Sequence, residues 1–289
     1  MPFRWLALTG CLMLLAVLSA CSGPALLNAV TSKAGYRVTE DLRYGPGERG
    51  TYDLYVPDGA DATTPVVVFF YGGGWDSGSK GIYPFVGQSL ASAGVIVAIP
   101  DYRVYPEVQF PGFVEDGARA VAAVATAARE GRHGLVPGVH PLFLMGHSAG
   151  AQIAALLSLD SPYLADAGGT GQKLSGLIGL AGPYDFLPLT DERYKRVFPP
   201  RLRSASQPVN FVTAAAPPML LVAGAADTTV RPANSRSLAE KVRAAGGSAT
   251  VDILPGVDHI GAVSGLATAL PLGDRTIRPA VLAFIKEHS

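Results

Sequence analysis

From residue 36 onward, short runs rich in Val, Ile and Leu alternate with stretches of helical periodicity. This alternation leaves the chain few architectures. The runs fall at 65–71, 95–100, 141–146, 174–181, 218–224 and 248–254. Apolar runs of this length suit strands of a parallel sheet covered on both faces. Two earlier segments, 36–44 and 51–57, mix polar and apolar residues, as half-exposed antiparallel strands do. Between the runs, residues 112–130 set Val114, Ala118, Val121, Ala125 and Ala128 on one helical face. Residues 149–159, 233–245 and 277–288 read similarly, and Pro232 and Gly246-Gly247 bracket the third of them. The expectation is one α/β domain over 36–289, an eight-stranded, mostly parallel sheet flanked by helices. The irregular stretch 183–217 carries six prolines and is read as a small lid insertion.

Composition narrows the function. Of 289 residues, 48% are hydrophobic and 16% charged, enough apolar material for a large core. Lys and Arg together number 23, as do Asp and Glu, and no basic run appears, which argues against nucleic-acid binding. Two cysteines exclude a disulfide framework and a four-thiolate zinc site.

Arg4 precedes an apolar stretch from Trp5 to Leu18, broken only by Thr9 and Gly10. It falls short of the roughly 20 residues a spanning helix needs and suits a signal-peptide core. Leu18-Ser19-Ala20-Cys21 follows and resembles the bacterial lipobox. An ordinary secretory site would place bulky Leu18 where a small residue is required. The resemblance implies that residues 1–20 are a signal peptide, that Cys21 is lipidated and that 21–35 form a tether. Cys11 would leave with the signal peptide. The expected location is the cell envelope, with the lipid on Cys21 as the membrane contact.

Gly146-His147-Ser148-Ala149-Gly150 matches G-x-S-x-G, directly after the apolar run Leu142–Met145 and at the start of a helical stretch. That strand–turn–helix context is what a nucleophile elbow needs, with glycines where the turn admits no side chain. The helix N-terminus would turn its free N–H groups toward developing negative charge.

Tyr71-Gly72-Gly73-Gly74-Trp75 follows the 65–70 run. Here the chain resembles the α/β-hydrolases, in the esterase and lipase branch related to hormone-sensitive lipase. The likeness extends to Asp101-Tyr102-Arg103, Tyr105-Pro106-Glu107, Phe110-Pro111 and Glu115-Asp116, and to Gly224-Ala225-Ala226-Asp227-Thr228-Thr229-Val230. It implies an oxyanion hole from the N–H groups of Gly73, Gly74 and Ala149, and structural contacts by Arg103 and Asp116. Tyr71 stands where the branch usually carries a histidine.

The elbow makes Ser148 the nucleophile, and the chain order of the fold that the chain resembles, serine, acid, histidine, places its partners after it. Of the two later histidines, His259 lies in a loop after the last strand and His288 ends a terminal helix, so His259 is the base. Asp227 is the preferred acid over Asp185, Asp252 and Asp258. His133 and His140 are read as solvated, and His147 as shaping the pocket.

The activity implied is hydrolysis of small-molecule carboxylic esters through an acyl-enzyme, without cofactor or metal. The charged middle of the lid, 191–196, argues for short acyl chains. An arylformamidase-type amidase is the second enzymatic reading, and a non-catalytic envelope binding protein comes from a different class. Oligomeric state is left open.

Overall fold

The computed structural model describes residues 27–159, 161–168 and 173–289. Residues 1–26, with Cys21, the lipobox and the signal-peptide run, lie outside the described residues. The strands are β1 (Tyr36–Arg43), β2 (Thr51–Pro57), β3 (Val66–Phe70), β4 (Ile96–Pro100), β5 (Leu142–His147), β6 (Gly176–Leu180), β7 (Met219–Gly224) and β8 (Ala249–Leu254). They form one sheet in the order β1-β2-β4-β3-β5-β6-β7-β8. β1 and β2 run antiparallel, β2 is antiparallel to β4, and every further pairing is parallel. The expected sheet is therefore the observed one, with each strand within two residues of its anticipated limits. β2, expected to be half-exposed, is instead buried along its whole length between β1 and β4.

The helices are α1 (Pro84–Ala91), α2 (Gly112–Glu130), α3 (Ala149–Leu159), α4 (Ser161–Asp166), α5 (Glu192–Val197), α6 (Ala233–Ala244), α7 (Gly261–Ser264) and α8 (Ile277–Glu287). α2 turns Phe113, Val114, Val121 and Val124 into the core and ends on Gly131, whose positive φ of 70° closes the last turn. α1 is absent from the sequence reading. Phe85 to Ala91 are all buried, so no polar face marks it as amphipathic. Gly87 brings it hard against the sheet, since a Cβ there would lie 2.6 Å from the Tyr55 ring.

The expected tether 21–35 is not free over its described part. Leu27 is 4% exposed within the main core, and Asn28 Nδ2 donates to the carbonyl of Ile82 at 3.2 Å. The chain is bound to the domain from that point.

Strand order places the site. From β3, the chain moves to β4 on one side, then crosses to β5 on the other. At such a reversal the loops after adjacent strands diverge and leave a crevice at their carboxyl ends. Here those loops are 71–78 after β3 and the turn after β5.

Candidate active site

Ser148 occupies a backbone conformation that side chains rarely adopt, φ 54°, between β5 and α3. The surroundings hold it there. A Cβ on Gly146 would lie 2.3 Å from the Gly150 carbonyl oxygen, and one on Gly150 would lie 2.1 Å from that of Phe70. Both glycines are required by contact, and the turn presents Ser148 Oγ to the crevice.

Ser148 Oγ lies 2.8 Å from His259 Nε2, and His259 Nδ1 lies 2.7 Å from Asp227 Oδ2. The other Asp227 oxygen accepts the backbone N–H groups of Thr229 and Val230, both at 2.8 Å. The carboxylate, fully buried, can donate nothing and so fixes the proton of His259 on Nδ1. Nε2 is left to accept the serine hydroxyl.

The remaining acidic candidates are engaged elsewhere. Asp258 accepts the N–H of Gly261 at 2.7 Å, Asp185 accepts from Ser237 Oγ at 2.6 Å, and Asp252 lies within β8. His288 packs on the Phe284 ring and His133 is exposed. His140, expected at the surface, is instead 2% exposed, with its ring nitrogens 2.7 and 2.9 Å from the carbonyls of Thr64 and Val136.

The glycine loop lies against the nucleophile. A Cβ on Gly72 would fall 3.0 Å from Ser148 Cβ. Gly73 and Gly74 have φ values of 145° and 59°, open to glycine at little cost. Among the described residues, no hydrogen bond engages the N–H of Gly73, Gly74 or Ala149. These are the groups expected to face an oxyanion.

Tyr71, the departure from the family pattern, anchors this loop. Its hydroxyl donates to Asp101 Oδ1 at 2.8 Å and accepts from Arg49 Nη1 at 3.2 Å. Its ring stacks on Tyr102 at 4.6 Å, and burial raises its pKa, which keeps the phenol protonated. Trp75 braces the other end. Its Nε1 donates to Gln152 Oε1 on α3 at 3.1 Å, and Phe198, Tyr194 and Phe186 surround its ring. Arg103 holds Asp116 through Nε and Nη2, both at 2.9 Å, which is the structural contact expected of that pair.

The resulting cleft measures about 970 Å³. The lid differs from its sequence reading in one respect. Asp191, Glu192, Arg193 and Arg196 are exposed, and Arg193 pairs with Asp76. Phe186, Leu187, Leu189 and Tyr194, which flank and interrupt them, line the cleft together with Asp191 and Arg193.

His147 takes a part that the sequence did not show. Its Nε2–H donates to the carbonyl oxygen of His259 at 3.0 Å, so the strand before the nucleophile holds the base's main chain. Nδ1 is buried without a partner. Burial first, and the neighbouring His259 second, push the His147 pKa down from 6.5 to about 3. The folded protein therefore keeps His147 neutral while the unfolded chain protonates it below pH 6.5. Stability is fully present above that pH and falls as pH drops toward 3. From pH 7.5 to 4.5 the expected loss from this group is on the order of 3 kcal/mol. His147→Gln should lose correspondingly less, as urea midpoints at the two pH values would show. Equal acid sensitivity of variant and parent would contradict this.

Over residues 52–242 the chain matches the BD-FAE family model. It belongs to that family. A probable isoprenylcysteine alpha-carbonyl methylesterase of Arabidopsis thaliana is 29% identical over 245 residues, 77% of this chain and 51% of that protein. A kynurenine formamidase of Danio rerio is 30% identical over 150 residues, 52% of this chain and 47% of its own length. The chain thus spans about half the length of these curated relatives. A truncated carbohydrate esterase from gut microbiota superposes with a TM-score of 0.75 at 20% identity, covering 89% of this chain and 98% of that one. The fold is that of the α/β-hydrolases.

Proposed function

We propose that this BD-FAE family member is a serine hydrolase of carboxylic esters. The observation that carries the reading is the unbroken line Ser148 Oγ–His259–Asp227, with hydrogen bonds of 2.8 and 2.7 Å. Ser148 attacks the ester carbonyl while its proton passes to His259 Nε2. The imidazolium is held by Asp227, and the carbonyl oxygen, now negative, receives the N–H groups of Gly73, Gly74 and Ala149. His259 protonates the departing alcohol, and water then cleaves the acyl-enzyme by the same route. The esterase names of the Arabidopsis relative and the gut carbohydrate esterase support ester chemistry.

The charged middle of the lid, 191–196, supports a preference for short acyl groups. Trp75, with Phe186 and Tyr194 packed on its ring, lines the lid side of the cleft. Each methylene adds about 0.8 kcal/mol only while apolar surface remains to cover it. On p-nitrophenyl esters, kcat/KM should peak at acyl chains of about two to six carbons. A peak at twelve or more carbons would contradict this. Faster turnover of formylated aromatic amines than of every short ester would favour an arylformamidase, the reading that the Danio relative supports.

Location is proposed from the N-terminus. A lipid on Cys21 would hold the enzyme at a bacterial envelope membrane, and among the described residues no helix is long and apolar enough to cross one. Unmodified Cys21 in membrane-extracted protein, read by mass spectrometry, would refute the anchor.

A further inference from the structure

Beside the His259 end of the catalytic cleft lies a second, largely apolar groove of about 740 Å³, walled by Leu27, Phe85, Val263 and Leu272. Ile82, Tyr83 and Ile260 line both spaces, so the groove lies directly beside the cleft. Three large hydrophobic side chains stand exposed here: Ile82 at 36%, Leu272 at 40% and Ile260 at 61%. Apolar side chains grouped at the edge of a cleft mark a surface that something apolar covers.

The groove is built, and it selects on charge. Its Ile82–Tyr83 wall follows Lys80, whose backbone N–H donates to Asp101 at 2.8 Å and whose Nζ donates to Asp53 at 2.6 Å. The described lining holds two carboxylates and no cation. Both carboxylates cap local turns: Asp258 accepts Gly261 N–H at 2.7 Å, and Asp274 accepts Thr276 N–H at 2.8 Å. An anionic ligand would meet repulsion without a partner.

The mechanism says which half of a substrate points this way. In acylation a bond forms from Ser148 Oγ to the carbonyl carbon, and the bond from that carbon to the alcohol oxygen breaks. The proton taken from Ser148 passes from His259 Nε2 to that oxygen, so the leaving group lies on the His259 side. Ile260, next in the chain, opens onto the groove. On this reading the acyl half is left the opposite wall of the cleft, Trp75 and the lid. Building on the ester-hydrolase reading, we propose that this groove binds the leaving-group half of the substrate, an extended apolar alcohol that carries no negative charge.

Acetate esters of methanol, butanol and hexanol test this on the full chain, with kcat/KM reporting the acylation step. A fully buried methylene is worth roughly fourfold, and the expected rise from methyl to hexyl acetate is at least tenfold. Leu272→Asp, at an exposed position outside the catalytic relay, should abolish most of that rise. It should leave methyl acetate within about twofold and methyl hexanoate unaffected. A flat alcohol series overturns the proposal, as does a Leu272→Asp variant that weakens methyl hexanoate as much as hexyl acetate. Failure of the wild-type chain to hydrolyse any ester would instead strike the ester-hydrolase reading, and this assignment with it.

Discussion

Ser148→Ala lowers kcat for ester hydrolysis by on the order of 10⁶-fold while the protein stays folded, if the relay works as its geometry indicates. The two halves of that expectation have separate grounds. Without the hydroxyl, no atom stands 2.8 Å from His259 Nε2 to attack a carbonyl, and only the oxyanion donors and substrate binding remain. The fold keeps what it had, because alanine retains the Cβ that already sits 3.0 Å from the space beside Gly72 and adds nothing at φ 54°. The loss is one half-buried hydrogen bond, about 1 kcal/mol. Steady-state kinetics and a urea midpoint on one preparation check both. Residual turnover near that of the parent would remove Ser148 from the mechanism.

Asp227→Asn is the second large effect, about 10⁴-fold in kcat. The carboxylate accepts on both sides, from Thr229 and Val230 N–H at one oxygen and from His259 at the other. An asparagine has a single carbonyl oxygen, and the two backbone N–H groups claim it. Its NH₂ must then point at His259 Nδ1 and donate, which drives the imidazole proton to Nε2. A protonated Nε2 cannot accept from Ser148. Asp258→Asn should stay near the parent rate, since an amide oxygen can still accept from Gly261 N–H. The reverse outcome in that pair of variants would move the acid to Asp258.

β3 to β7 were legible because each is a compact apolar run closed by turn residues and buried along its whole length. The elbow was legible because Gly146 and Gly150 sit at positions where contact forbids any other residue. α1 was not, since periodicity detects a helix with one wet face and Phe85–Ala91 has none. Burial of His140 could not be read either, because the carbonyls of Thr64 and Val136 that receive its ring belong to loops whose meeting is tertiary. The same holds for Tyr71. Its ring fills a site held by Arg49, Asp101 and Tyr102, and no local pattern joins those positions. His147 stands beside the nucleophile in sequence, yet its partner is a carbonyl 112 residues away.

Covalent labelling tests the central claim most directly. A fluorophosphonate is attacked by an activated serine and by little else, because its phosphorus takes the place of the ester carbonyl carbon and its oxygen that of the oxyanion. The full chain, treated with such a probe and digested, should carry a single adduct on the peptide holding Gly146-His147-Ser148-Ala149-Gly150, with the modification on Ser148. Ser148→Ala and Asp227→Asn should label far more slowly or not at all. Labelling of a different serine, or an unlabelled Ser148 in protein that hydrolyses esters, would contradict the account.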